Sequence, residues 1–133
     1  IDRLANGDSI TIHGDGSQTR DFTYIDNVIH ANDLAGKISD ARALNQIYNI
    51  AFGGKITLNE LVDQITLCMT DYGLDANKIN VQHGEKRPGD VYSSFASIEK
   101  AKDLMGYQPQ LSLSEGLKRY MKHLVESEEI KIV

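Results

Sequence analysis

Gly14-Asp15-Gly16-Ser17-Gln18-Thr19-Arg20-Asp21-Phe22-Thr23-Tyr24-Ile25-Asp26 is the stretch from which the rest of the chain can be read. It predicts a tight turn, then a short strand, then a helix start. Glycines at 14 and 16 permit the backbone angles of a reversal. Phe22, Tyr24 and Ile25, beside Arg20 and Asp21, give the middle of the stretch strand character. Asp26 is placed to cap the next helix by accepting from its free N–H groups. An arginine at such a junction suits an anion, because guanidinium meets phosphate as a two-pronged donor. The plainer reading makes Gly-Asp-Gly a hairpin turn and pairs Arg20 with Asp21 or Asp26.

On the N-terminal side, Ile1 to Asn6 reads as the tail of a helix ended at Gly7. Ser9 to His13 reads as a strand with Ile10 and Ile12 on one side. On the C-terminal side, Val28, Ile29, Ala31, Leu34, Ala35 and Ile38 recur at helical spacing. Asn45 to Ile50 gives the clearest strand, broken by Gly53-Gly54. Thr57 and Glu60 form a capping box ahead of a helix whose apolar face is Leu58, Leu61, Val62, Ile65, Cys68, Met69 and Tyr72, closed at Gly73. Ile79 and Val81 suggest a short edge strand before a loop from Gly84 to Gly89. Ser97 is placed to cap a short helix with Ile98, Ala101, Leu104 and Met105 inward, stopped by Gly106 and Pro109. Ser112 and Glu115 make a second capping box before a helix facing inward through Leu117, Tyr120, Met121, Leu124 and Val125. The expected fold is α/β with a mixed α+β look, as one domain over residues 1–133. The Ile47–Ile50 strand is apolar enough for a sheet interior but has few neighbours, so part of its sheet is expected to lie outside this chain.

Composition narrows the function. The chain has 133 residues and a net charge of −5. That length supports a real core, and that charge argues against nonspecific nucleic-acid binding. No apolar run approaches membrane-spanning length. A single cysteine, Cys68, excludes an internal disulfide framework and fits a reducing cytoplasm. Cys68 itself falls on an apolar helix face and reads as core. The chain begins at Ile1 rather than methionine, and is expected to be a piece of something longer.

The chemistry sits on loops. In Arg87-Pro88-Gly89-Asp90, Pro88 and Gly89 set a sharp path, Arg87 can donate to phosphate oxygens and Asp90 can accept from sugar hydroxyls. The alternative pairs Arg87 with Asp90 alone. His13, His30, His83 and His123 have no metal-ligand spacing, so no metal site is expected. Ser93, Ser94 and Ser97 lack a nucleophile-elbow pattern. Gly14 to Thr19 lacks the third glycine of a dinucleotide fingerprint, and no tyrosine is followed four residues later by lysine.

Three motifs together resemble a known family. The first is Gly-Asp-Gly-x-Gln-x-Arg-Asp-Phe-x-Tyr-Ile-x-Asp. The second is Tyr48-Asn49-Ile50 with Gly53-Gly54 and the Leu58–Glu60 helix start. The third is Arg87-Pro88-Gly89-Asp90 with Ala96, Ser97, Lys100, Ala101, Leu104, Gly106, Tyr107 and Pro109. In order and spacing they resemble the C-terminal, substrate-binding half of the extended short-chain dehydrogenase/reductases of the NAD-dependent epimerase/dehydratase family. The likeness is greatest to bacterial UDP-N-acetylglucosamine 4-epimerases of surface-polysaccharide pathways.

The resemblance implies a role for each matching position. Arg20 and Arg87 grip the UDP diphosphate, Asp90 binds the uridine ribose, and Phe22 lines the nucleotide pocket. Ser94 stands at the gate beside the sugar, where a small residue admits an N-acetyl group. The family's NAD fingerprint, catalytic tyrosine–lysine pair and Ser/Thr partner belong to an N-terminal Rossmann core absent from this chain. In the whole enzyme NAD would oxidise the sugar C4 hydroxyl and return the hydride to the other face. The chain alone is therefore expected to bind no NAD, to carry no catalytic residue and to be inactive. Its expected partners are a UDP-sugar and the missing Rossmann domain, in the cytoplasm, with neither nucleic acid nor membrane. Self-association through the open edge at Ile47–Ile50 is a further expectation. Open alternatives are a stand-alone nucleotide-sugar-binding module and, within the enzyme class, a 4,6-dehydratase, a decarboxylase or a uronate epimerase.

Overall fold

The structure is a computed structural model that describes residues 1–130. Among the described residues five α-helices and four strands follow in the order α1 (Asp2–Ala5), β1 (Ile10–His13), β2 (Thr19–Arg20), α2 (Ile25–Lys37), β3 (Ile56–Thr57), α3 (Leu58–Thr70), β4 (Val81–Gly84), α4 (Glu99–Met105) and α5 (Leu113–Glu126). A 3₁₀ turn at Ala76–Lys78, which the sequence reading lacked, is capped by Asp75.

The strands form two small sheets. β1 runs parallel to β4, with Ile12 opposite His83. β2 runs antiparallel to β3, with Arg20 opposite Ile56. On its other edge β2 takes up residues 92–94: Thr19 N donates to Tyr92 O at 2.9 Å and Ser94 N to Thr19 O at 3.1 Å. Thr19 Oγ1 also bonds Ser93 Oγ at 3.0 Å. The short strand after the Gly-Asp-Gly turn therefore joins β3 to the segment that follows Arg-Pro-Gly-Asp.

Two apolar clusters carry the fold. One gathers Cys68, Met69 and Leu74 against Leu117, Met121, Leu124, Leu4 and Ile130 between α3 and α5. The other gathers Ala31, Ala51, Ile98, Ala101, Met105 and Tyr107. Cys68 is buried as expected, and burial pushes its thiol above the ordinary value. Burial, with the Asp21 carboxylate second, likewise raises Tyr107, whose hydroxyl donates to Ala51 O at 2.9 Å.

Both capping boxes form. Glu60 Oε2 accepts from Thr57 N and Oγ1, each at 2.8 Å. Glu115 Oε2 accepts from Ser112 N at 2.9 Å and Oγ at 2.6 Å. The Thr57 backbone bond chiefly holds the Glu60 carboxyl below its usual value; for Glu115 the Ser112 hydroxyl does so. A depressed folded-state pKa contributes stability that is full above the unfolded carboxyl value and is lost as pH falls through the folded one. Thermal melts across acid pH are thus expected to show part of the loss of stability flattened in Glu60→Gln and Glu115→Gln. Melting curves with the same pH slope as the parent chain would reject the assignment.

Several sequence expectations are corrected. Residues 45–50 form no strand: Asn45 ends a turn with φ +56°, and residues 46–50 have no ladder partner among the described residues. Nor is the segment a sheet interior: Tyr48 and Ile50 pack on the second cluster while Ile47 is 88% exposed. Burial of one side does not make a strand when no neighbouring edge offers hydrogen bonds. Strand structure in the opening motif stops at Arg20: the ladder with β3 ends there, and Asp21 accepts instead from Phe52 N and Gly53 N. Asp26 does not cap α2: the cap position is Tyr24, and Asp26 lies inside the first turn, paired with Arg119 at 2.7 Å. Ser97 Oγ accepts weakly from Glu99 N at 3.4 Å, while the cap position of α4 is Ile98. Ile29 and Ala35 on α2, and Tyr120 on α5, point outward rather than inward.

Candidate functional site

The site begins with the turn after β1. Gly16 has φ +76°, and a Cβ there would strike the side-chain amide of Asn59. Asn59 Nδ2 donates to Asp15 O at 3.0 Å and Asn59 N to Gly16 O at 3.2 Å. The turn is thus docked on the first turn of α3, rather than being a free hairpin tip. Ser17 closes it from inside by bonding Asp15, which lowers the Asp15 carboxyl.

Two histidines then fasten this turn to the loop before Arg87. His83 Nδ1 lies 2.9 Å from Gly14 O, and His13 Nδ1 lies 3.2 Å from Glu85 O. Both partners are carbonyls, so each ring serves as the Nδ1–H donor. Gly14 N adds a bond to Gly84 O at 2.9 Å. Sequence reasoning considered these histidines only as metal ligands. Their value to the fold lies in the β1–β4 pairing, which no local signal announces.

Arg20, Arg87 and Asp90 are brought together by this framework. Arg20 Nη2 lies 2.7 Å from Asp90 Oδ1, and Nη1 donates to Thr19 O at 2.8 Å. Arg20 therefore pairs with neither Asp21 nor Asp26. Asp21 instead accepts from Phe52 N at 3.1 Å and Gly53 N at 3.0 Å, pinning the turn after residue 50 to the Arg20 strand. Asp90 N closes the Arg-Pro-Gly-Asp turn on Arg87 O at 3.2 Å, with Gly89 at φ +78°. The Arg87 guanidinium has no hydrogen-bond or ion-pair partner among the described residues. It does not pair with Asp90.

Arg87 and Asp90 line two adjoining cavities. The smaller, about 120 Å³, is walled by His13, Asp15, Gln18, Lys86 and Tyr92 besides. The larger, about 370 Å³, also takes in Arg20 and has an apolar floor of Ile10, Ile12, Leu58, Leu61 and Val62. Gln18, nearly buried, braces both by donating to His13 O at 2.6 Å. The larger cavity thus combines apolar side chains with the Arg20 and Arg87 guanidinium groups, and the smaller adds Lys86. That pairing suits an amphipathic anion, with charge on the guanidinium forks and a planar apolar body on the floor.

Phe22 and Ser94 are placed differently. Phe22 lines a neighbouring apolar groove of about 380 Å³ with Tyr24, Leu113 and Tyr120, joined to the first through Leu61. Ser94 is exposed on the segment bonded to β2. The Thr19–Ser93 bridge sets Ser94 one register step on, beside Arg20. Among the described residues no group of three His, Cys, Asp or Glu side chains is arranged to hold a metal, and no helix is long and apolar enough to cross a membrane.

Comparison with known proteins agrees with this architecture. The family profile described as GDP-mannose 4,6 dehydratase matches residues 1–120. The UDP-glucuronate 4-epimerase of Thermodesulfobacterium geofontis is 34% identical over 124 residues, 91% of this chain and 35% of that protein. The structure of UDP-N-acetylglucosamine 4-epimerase from Methanobrevibacter ruminantium, in complex with UDP-N-acetylmuramic acid, superposes with a TM-score of 0.78 at 30% identity; the match covers 93% of this chain and 37% of that one. UDP-glucuronic acid 4-epimerase from Bacillus cereus, in complex with UDP-glucuronic acid and NAD, gives 0.77 at 28% identity, covering 92% and 38%. The chain therefore spans little more than a third of the length of these relatives. With a profile match over most of its residues and relatives that are UDP-sugar epimerases of the same architecture, the chain belongs to the NAD-dependent epimerase/dehydratase family of extended short-chain dehydrogenase/reductases.

Proposed function

We propose that this chain is the nucleotide-sugar-binding half of a UDP-sugar 4-epimerase. The convergence of Arg20, Arg87 and Asp90 on one groove with an apolar floor carries the reading. In it, Arg20 and Arg87 hold the diphosphate and Asp90 accepts from a ribose hydroxyl, while Phe22 stands in the neighbouring groove rather than against the nucleotide. Titration of the chain with UDP is expected to give saturable binding that weakens as salt rises, because charged contacts carry it. Absence of binding by isothermal calorimetry at low salt would overturn it.

NAD is the cofactor of solved relatives, and it supplies hydride chemistry when bound. The residues of this chain do not fit it. The glycine-bearing turn after β1 leads into β2, not into the helix start that a dinucleotide pyrophosphate needs. The proposed reaction therefore draws its redox half from residues outside this chain. The chain's own residues bind and orient the sugar nucleotide, a cytoplasmic metabolite on this reading, and the chain alone binds it without turnover.

The proposed sugar carries an N-acetyl group, a reading supported by the small side chain at position 94. Ser94→Tyr is expected to weaken binding of UDP-N-acetylglucosamine by about tenfold more than that of UDP-glucose. Equal loss on both ligands would reject the gate. The 34% identity to a UDP-glucuronate 4-epimerase favours a uronate as the second reading. Parallel titration with UDP-glucuronate separates the two.

A further inference from the structure

We propose that Asp90 is a positioning residue for Arg20, so that it governs diphosphate affinity through the guanidinium and not only through a ribose hydroxyl. The proposal rests on the nucleotide reading of the groove and deepens it. Arg20 and Arg87 line the same cavity but are held very differently. Arg87 has no partner among the described residues. Arg20 is gripped from two sides, by Asp90 Oδ1 at 2.7 Å and by Thr19 O at 2.8 Å. These contacts use different terminal nitrogens, so the guanidinium plane is fixed. A guanidinium has five N–H donors, and three remain for a ligand.

Asp90 is itself well held. Its carboxylate hangs from a closed turn whose N–H bonds Arg87 O at 3.2 Å, and only about a third of its side chain is exposed. One oxygen meets Arg20, and the other keeps its lone pairs for a hydroxyl. Two effects of this carboxylate oppose each other. As a negative charge it repels a diphosphate. As a hydrogen-bond acceptor it removes rotamer freedom that Arg20 would otherwise lose on binding. The pair is close to neutral as a unit, so what Arg20 brings to a diphosphate is a fixed set of N–H donors rather than net charge, and holding that set in place is the larger effect of Asp90.

A nucleotide without the ribose diol separates the two roles. The chain and its Asp90→Ala, Arg20→Ala and double variants are titrated with UDP and with 2′,3′-dideoxyuridine diphosphate. The expected result is that Asp90→Ala, which removes the acceptor for Arg20, weakens the dideoxy nucleotide by about tenfold, and that this loss vanishes or reverses in the Arg20→Ala background, where only a repelling carboxylate is removed. Dideoxy affinity unchanged or improved in Asp90→Ala, with UDP weakened, would show that Asp90 acts through ribose alone. That outcome overturns the proposal and leaves the nucleotide reading intact. If the parent chain binds neither nucleotide, both fall together. Because Asp90 sits in an exposed loop, the melting temperature of Asp90→Ala should match the parent; Asp90→Leu, which also lacks an acceptor, gives an independent replacement with the same expected pattern.

Discussion

Arg20→Ala is expected to lower UDP affinity by about 30- to 150-fold, and by more than Arg87→Ala, which should cost about tenfold. A hydrogen bond to a charged group contributes about 1.5–3 kcal/mol, and tenfold corresponds to about 1.4 kcal/mol. Both variants lose such a bond. Only Arg20→Ala also strips Asp90 of its 2.7 Å partner and leaves a bare carboxylate in the groove with the diphosphate. Its penalty is therefore lost attraction plus new repulsion, whereas Arg87 leaves no orphan behind. Arg20→Lys should fall between the two. An ammonium keeps the charge but has no planar fork to meet Thr19 O, Asp90 and a phosphate at once. Calorimetric titration at two salt concentrations checks the order. An Arg20→Ala loss equal to or below that of Arg87→Ala would refute this account of the groove.

Asn27→Ala is expected to cost about 3–6 kcal/mol of folding stability, the largest effect of a single substitution on this fold. Asn27 is fully buried at the start of α2. Its Nδ2 donates to Leu111 O at 2.8 Å, while its Oδ1 accepts from Gln110 N at 2.8 Å and Leu111 N at 3.0 Å. Alanine removes all three partners at once and leaves backbone groups unsatisfied, each costing about 1–3 kcal/mol. A domain of this kind has about 5–15 kcal/mol in total, so the variant should lie near the edge of folding. Asn27→Asp keeps the two N–H bonds but sets a carboxylate against Leu111 O. It should be destabilised less than the alanine variant, and least at acid pH, where the protonated acid can donate to that carbonyl. Urea unfolding measures both, and a cost below about 1 kcal/mol for alanine would reject the role.

The two residues teach the same lesson about what a sequence displays. Arg20 stood out because its motif is a recognisable string, yet its partner lies 70 positions away, and both partners suggested by proximity, Asp21 and Asp26, proved wrong. Asp21 went to the turn at Phe52 and Asp26 to Arg119. Asn27 gave no signal at all: a polar residue early in a helix is ordinary until Leu111 packs against it. The strand expected at residues 45–50 failed for a related reason. Apolar strand propensity is legible in one segment, but a ladder needs a second, and none of the described strands offers its edge there.

What the sequence by itself determined is whatever is decided within a few residues. The capping boxes at Thr57–Glu60 and Ser112–Glu115, the turn glycines, the core placement of Cys68 and the family motifs all belong here. Each depends on side chains and backbone groups that chain connectivity already holds close together. Only the tertiary structure decided the histidine clasp between β1 and β4, the grip of Asp90 on Arg20, and the apolar floor beneath them. Those contacts join segments about 70 residues apart, as Arg20 and Asp90 are. Their geometry is fixed by packing of the whole domain, because no local preference is strong enough to select one distant partner among several of equal charge.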